Sequence, residues 1–327
     1  MDNLTHTLVG LMLSRAGLDR GDRHTPLILM LAANVPDVDA YPFFTDPVGY
    51  LDIHRGYTHA LVFAPLMALL PVLAVKGVAR SRPTLGSALW LWFAATLAVL
   101  SHLLLDWTNV YGVRLLLPFS GRWLRADITN VVDPLIWVLL MLCWVVPSIL
   151  GLVSAEIGAK NTMGLKRGWA WLALVALVGY EGWRWSSHER AVGALSALLY
   201  RDEVPKNVWA FPDSFGTLRW RGLVEGEEFF YEVPIDFSGN FTLRDGNVDY
   251  KVGHSKLVEA ARTTRTFQVF ERFNQVPFWR ISPLVDVSRV ELMDLRFGSF
   301  TRGNTFTATA MVEPDGRIQD VRFGFGK

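Results

Sequence analysis

Apolar residues are unevenly spread along this chain. They gather before about residue 190, in stretches that approach the ~20 residues an α-helix needs to cross a bilayer. The stretches 59–78, 85–105, 134–154 and 168–186 each predict a full span. Two shorter apolar segments, 4–13 and 26–35, come before them and predict a helical hairpin partly embedded in the membrane. After residue 190 the pattern changes. "WAFPDSFGTLRWRGLVEGEEFFYEVPIDF" has aromatic and β-branched runs broken by Pro, Gly and Asp, which reads as strands. "SKLVEAARTTRTFQVFERF" has helical spacing, with Leu257, Ala261, Thr264 and Phe267 on one face, and predicts one helix. "VELMDLRF" and "TFTATAMVEPDGRIQDVRFGF" return to strand, the second as a hairpin around 313–317. The expected fold class is an α-helical integral membrane domain (four full spans plus a short N-terminal helical hairpin), residues 1–190, followed by a small α+β soluble domain, residues 191–327.

Basic residues give the helices a direction. Arg15, Arg20 and Arg23 lie between the two short segments, Lys76, Arg80 and Arg82 between the first two spans, and Lys160, Lys166 and Arg167 between the last two. If the chain crosses at each segment, these connections share one side, which the positive-inside rule makes cytoplasmic. The other side receives Asp37, Asp39, His54, His59, His102, Asp106, the connection 111–133 and everything after Ser187. Arg114, Arg122 and Arg125 in that connection weaken the bias without reversing it.

Composition agrees with a membrane protein. Half of the 327 residues (51%) are hydrophobic, and the mean hydropathy of +0.24 is high for a soluble chain. A net charge of +1 gives no reason to expect nucleic acid as a partner. The single cysteine, Cys143, excludes disulfides within the chain and any cysteine-based zinc site. "MDNLTHTLVGLMLSRAGL" opens with an acid and has no basic region before its apolar part, so it reads as mature sequence and not as a signal peptide.

Candidate chemistry lies at the ends of the apolar segments. Of seven histidines, His6, His54, His59 and His102 map to one predicted face, whereas His24 maps to the other. In "SHLLLDW", His102 and Asp106 are one turn apart on the same side of a helix, where an imidazole nitrogen and a carboxylate oxygen can converge on one ion. Asp2 and His6 repeat that spacing in reverse order, and "NVPDVDAYP" sets Asp37 and Asp39 just after an apolar segment. In "HRGYTHAL", Thr58 is placed to cap the following helix, with His59 in its first turn and Gly56 as the bend that returns His54. Taken singly, such residues are ordinarily caps or interfacial side chains. Several together at membrane depth are expensive and mark function. His and carboxylate without Cys suit Zn, Mn or Fe, and the number of candidate donors exceeds what one tetrahedral ion takes. The same cluster also fits an ion or proton pathway, although within the spans only Glu181 is clearly intramembrane, one turn from Arg184. In the connection 111–133, Asp106, Asp127 and Asp133 alternate with Arg114, Arg122 and Arg125, and Arg suits phosphate oxygens; an ordinary solvated loop has the same composition.

Several motifs stand together in a family's order: Thr5-His6 followed by Gly10, Pro36-Asp37-Val38-Asp39, His54-Arg55-Gly56-Tyr57-Thr58-His59, Ser101-His102 through Asp106, Tyr111-Gly112 and Leu117-Pro118-Phe119. Over about residues 1–180 the chain resembles the bacterial YdjM-like inner-membrane proteins, described as membrane-bound metal-dependent hydrolases. That family is in turn similar to the zinc-dependent phospholipase C and nuclease group, which uses His and Asp ligands on a helical scaffold. The resemblance implies a multi-pass protein of the bacterial inner membrane with metal ligands at His6, Asp37, His54, His59, His102 and Asp106, and with Asp39 as a further candidate. A hydrolase of this kind would use a metal-activated water against a phosphorus or acyl carbon. Arg55 and Arg114 are the candidates for phosphate or oxyanion contact, and Asp39 or Asp133 for orienting the water or a ligand histidine. A site at the membrane surface, among lipids, favours a lipid-like or lipid-linked substrate. The C-terminal domain would cover the site, bind substrate or bind a protein partner. The competing expectation is a non-catalytic membrane protein with a structural metal.

Overall fold

The computed structural model describes residues 1–20, 22–80, 83–156, 163–213, 216–239, 246–299, 303–304 and 306–325. Arg82 and Lys160, which entered the argument on orientation, lie outside these residues. The chain divides into two units, Met1–Asp39 with Arg55–Ser186, and Ala40–His54 with Ser187–Lys327. The hydropathy pattern marks the change near residue 190. It does not mark the short segment 40–54, which packs with the C-terminal residues.

The first unit is helical. Helix α1 (Asn3–Leu13) starts where the Asp2 carboxylate accepts the N–H groups of Leu4 and Thr5. It runs into a π-helical turn, Ser14–Leu18. Helix α2 (Thr25–Ala32) opens with a proline in its first turn, where no N–H is needed. The two helices approach so closely at Gly10 that a Cβ there would lie 2.6 Å from the Leu29 carbonyl oxygen. This is the expected hairpin, but the second arm does not stop: a 3-10 helix, Val35–Phe44, continues after a bend of 51°. Then come α4 (Ala64–Val78), α5 (Leu85–Thr108), α6 (Pro134–Glu156) and α7 (Met163–Ser196), while α3 (Pro47–Ile53) belongs to the other unit. One core joins Ile28 and Leu29 of α2 to Ala64, Ala68, Ala94, Ala98 and Val99 of α4 and α5. A second joins Leu8 and Met12 of α1 to Ile136, Leu140, Ala170 and Ala173 of α6 and α7. Alanines let these backbones pack closely.

The span count differs from the expected four. Among the described residues Leu61–Val78, Leu85–Thr108 and Pro134–Ser154 are long and apolar enough to cross a membrane, and the bent pair Thr25–Ala32 with Val35–Phe44 makes a fourth only if it counts as one span. The stretch 168–186 is helical but less apolar than these three, because Glu181 and Arg184 interrupt its apolar run after Val178, and it is not among the candidate spans.

The second unit holds two antiparallel four-stranded sheets. Strands β1 (Asn207–Pro212), β2 (Arg219–Glu225), β3 (Phe229–Asp236) and β4 (Asn247–Tyr250) form one in sequence order. The other contains β5 (Pro277–Pro283), β6 (Ser288–Asp294), β9 (Phe306–Val312) and β10 (Ile318–Phe325) in the order β10-β9-β6-β5; β7 (Gly298–Ser299) and β8 (Gly303–Asn304) form a short ribbon. The turn between β9 and β10 falls at the expected 313–317. Ala191 and Leu195, at the end of α7, pack on Trp220, Val224 and Val233. The single helix expected over 256–273 is two, α8 (Lys256–Arg262) and α9 (Arg265–Phe273). Thr264 leaves the helical region at ψ 147, and the Thr263 and Thr264 hydroxyls donate to the carbonyls of Ala260 and Ala261, so local bonds compete with the helix. Phe267, Phe270 and Phe273 of α9 are buried, and Phe270 and Phe273 pack against Phe323 and Phe306 of β10 and β9. Helix α3 (Pro47–Ile53) begins where Asp46 accepts the Gly49 N–H, and it lies against α9.

Candidate metal centre

Four donors converge in the first unit: Asp37, His59, His102 and Asp106. Each arrives from a feature that the local sequence explains. His102 and Asp106 share one face of α5, four residues apart, with Nε2 and Oδ2 3.3 Å from each other. Asp37 follows the bend after α2, where Pro36 disfavours continuing the helix. His59 ends a short 3-10 turn, Tyr57–His59, ahead of α4.

The separations suit one small ion. His59 Nε2 lies 3.1 Å from His102 Nε2, 3.3 Å from Asp37 Oδ1 and 3.4 Å from Asp106 Oδ2; His102 Nε2 lies 3.7 Å from Asp37 Oδ1. Four donors about 2.0–2.1 Å from a tetrahedral centre would be about 3.3–3.4 Å apart. The observed edges scatter around that value. Both imidazoles turn the correct nitrogen inward. His102 Nδ1 bonds the Ala33 carbonyl at 2.7 Å, beside the bend, and so keeps its proton there and leaves the Nε2 lone pair free. His59 Nδ1 is 3.3 Å from Asp39 Oδ2, which imposes the same tautomer.

The Asp106 carboxylate is divided between two tasks. Oδ1 accepts from Arg55 Nη2 at 2.9 Å, from Asn109 Nδ2 at 3.3 Å and from the Met1 ammonium. Oδ2 is buried and has no hydrogen-bond partner among the described residues. A buried carboxylate oxygen left in this way is costly unless a cation faces it. The donor set, the edge lengths and this orphaned oxygen all fit a divalent metal.

Expected site residues separate into groups. His59, His102, Asp37 and Asp106 form the cluster. His6 is beside it: its ring stacks on His102 at 3.8 Å, its Nε2 is 3.5 Å from Asp106 Oδ1, and neither ring nitrogen has a hydrogen-bond partner among the described residues. Asp39 touches His59 from outside, and its Oδ2 also accepts from the Arg55 N–H at 3.1 Å and from the Thr58 hydroxyl. Thr58 therefore does not cap α4, whose N-cap is Phe63. His54 belongs to the second unit, where it stacks on Tyr50 at 4.6 Å. The chain turns sharply at Arg55, with φ 57, and at Gly56, with φ -94 and ψ -124. Arg55 is engaged with Asp106, Asn109 Oδ1 and the Gly112 carbonyl. The Arg114 guanidinium lies 5.0 Å from the Trp123 ring centre. Asp133 caps α6 through Leu135 N–H and takes the Tyr180 hydroxyl at 2.8 Å, and Asp2 caps α1. Sequence reasoning missed Asn109 and the Ala33 carbonyl. Asn109 stands three residues after Asp106, a spacing that puts it on the same helix face; a backbone carbonyl leaves no trace in the sequence.

A family model described as YdjM inner membrane protein matches residues 1–191, which contain every donor described above. The chain belongs to this family. It is similar to YfhP of Bacillus subtilis (strain 168), 26% identical over 308 residues, covering 91% of this chain and 88% of that one. It is also similar to the inner membrane protein YbcI of Escherichia coli (strain K12), 30% identical over 188 residues, covering 55% of this chain and 96% of that one. No solved structure matches the chain. Family membership and the apolar helices together support an inner-membrane location.

Proposed function

We propose that the chain is a membrane-bound metal-dependent hydrolase that cleaves a phosphoester or ester of a lipid-like substrate at the membrane surface. The observation that carries this reading is the convergence of two Nε2 lone pairs and two carboxylate oxygens at tetrahedral spacing, with both Nδ1 atoms tied from behind. A divalent ion held there, Zn or else Mn or Fe, would supply Lewis acidity and lower the pKa of a water toward neutrality. The chain's own residues do the remaining work. Arg55 and Asn109 hold Asp106 Oδ1, so that Oδ2 turns inward. Asp39 holds His59. Of the four donors, Asp37 alone reaches solvent, its side chain being 13% exposed against 0% for the others, so water and substrate approach from its side. His6, whose two ring nitrogens have no hydrogen-bond partner among the described residues, is the donor for a second ion. Arg114 is the candidate contact for a substrate phosphate.

The site and the C-terminal unit are assigned to the extracytoplasmic face, with α7 taken as a crossing despite Glu181 and Arg184, on the strength of the basic residues Arg15, Arg20, Arg23, Lys76, Arg80, Lys166 and Arg167 in the opposite connections. A C-terminal reporter active only in the cytoplasm would reverse that assignment. A second reading, a structural metal, is favoured by one observation: four protein donors already complete a tetrahedron. Metal analysis of purified wild type beside His59→Ala and Asp106→Ala tests the centre itself. Wild type should carry stoichiometric transition metal and both variants should lose it; a wild type that holds none, even after addition, refutes the centre. Hydrolysis of phospholipid or polyprenyl phosphate in mixed micelles, abolished in a folded His102→Ala, then separates catalysis from a structural role.

A further inference from the structure

Residues 40–54 leave the first unit and return to it. Their ends are pinned at the metal centre: Asp39 and Arg55 are joined by a hydrogen bond of 3.1 Å from the Arg55 N–H to the Asp39 carboxylate. Asp37 lies two residues before one end, and His59 four residues after the other. The body of the segment belongs to the second unit. There α3 packs on α9, Leu51 is buried, and two arginines of α9 hold two aspartates of the segment. Arg265 Nη2 lies 2.8 Å from Asp46 Oδ2, and Arg272 Nη2 lies 3.0 Å from Asp52 Oδ1. Arg265 and Arg272 are seven residues apart, two turns of one helix, so both project from the same face of α9 toward the segment. Asp46 does two things at once, capping α3 and pairing with Arg265.

We propose that residues 40–54 are a strap through which the C-terminal unit sets the metal affinity of the centre. This rests on the metal-centre reading above. The physical argument is one of chain connectivity. While α3 is seated on α9, the segment between Asp39 and Arg55 is an ordered loop of fixed span. Released, it becomes a free loop of fifteen residues, and the hydrogen bond that pins its ends must then oppose that loop's closure entropy. Asp39 and Arg55 each support a donor, His59 and Asp106, so loosening their junction reaches the ion through two of its four ligands. Changes behind a ligand typically alter metal affinity by about 10–100-fold. Linkage makes the effect reciprocal: metal at the centre must tighten the seating of α3 by the same factor. A ligand bound at α9 in competition with α3 would thereby weaken the hold on the metal.

The test uses the full-length protein in detergent, with Zn²⁺ as the probe in competition with a chelating dye. Arg265→Glu combined with Arg272→Glu should weaken Zn²⁺ binding about tenfold, with stoichiometry retained at saturation. Exchanging one pair, Arg272→Asp with Asp52→Arg, should restore more of the affinity than Arg272→Asp alone. Arg322→Glu, which reverses an exposed charge of the same unit that pairs with Asp320, should leave affinity unchanged. If the double reversal unfolds the second unit, Arg272→Gln gives the milder form of the same measurement. Hydrogen exchange of wild type should show α3 amides better protected with Zn²⁺ than without. A wild type that binds Zn²⁺ and a folded variant that binds it equally well overturn the strap and leave the centre standing. A wild type that binds none overturns the centre and the strap with it.

Discussion

Asp39 offers a graded test of the centre, because it is not one of the four donors and bears on them through His59 and Arg55. Three donors meet its Oδ2: His59 Nδ1 at 3.3 Å, the Arg55 N–H at 3.1 Å and the Thr58 hydroxyl. In Asp39→Asn the new amide must keep its oxygen at that point, since the Arg55 N–H can only donate. His59 therefore keeps its tautomer, and what is lost is charge. A hydrogen bond to a charged group contributes about 1.5–3 kcal/mol and a neutral one about 0.5–1.5 kcal/mol. The difference, about 1 kcal/mol, corresponds to about fivefold in affinity. Asp39→Ala removes the acceptor altogether. His59 Nδ1 then faces the Thr58 hydroxyl at 3.0 Å, which can donate as readily as accept and can drive the proton to Nε2, the atom the ion needs. That variant should weaken binding by about 10–100-fold. Both should remain folded and reach wild-type stoichiometry at saturating metal. The assay is competition titration with a chelating dye in detergent, with thermal melts as the folding control. Equal affinity in wild type and Asp39→Ala would refute the argument, and so would an asparagine variant weaker than the alanine one.

Two further expectations concern the scaffold. Gly10→Ala should lower the melting temperature by the equivalent of about 1–3 kcal/mol, because its Cβ would meet the backbone of Leu29 and Met30 and not a flexible side chain; an unchanged melt would mean that α1 and α2 can separate freely. The hydrogen bond from Arg265 holds the Asp46 carboxyl below the ordinary aspartate pKa. A depressed pKa in the folded state contributes stability above the unfolded value, which is lost as pH falls through the folded one. Hydrogen exchange should therefore show α3 loosening only in acid, below the ordinary aspartate range, and loosening at neutral pH would contradict the assignment.

The centre was legible where chemistry and spacing coincide. His102 and Asp106 stand out because two ionisable side chains one turn apart interrupt an otherwise apolar helix. Asp37 and His59 stand out because they sit beside a break or a turn. Arg55 was visible as a cation but not as the partner of Asp106, since that contact joins positions 51 residues apart by way of a backbone turn at positive φ. The seating of α3 on α9 was invisible for the same reason, with its ion pairs 219 and 220 residues apart. Periodicity misled in two places. It ran through Thr263 and Thr264, where hydroxyl bonds to the backbone end one helix and start another. It also suggested a span in α7, where helix continues but apolarity does not.

The order in which the donors occur along the chain has a consequence for biosynthesis. His6, Asp37, His59, His102 and Asp106 have all left the ribosome before two thirds of the protein exists. Domains generally fold as units from the N-terminus during synthesis. The nascent helices can therefore gather their ligands, and capture an ion, while α9 is still unmade. The strap has nothing to grip until α9 arrives, so the donors can gather before the segment that bears on them is seated.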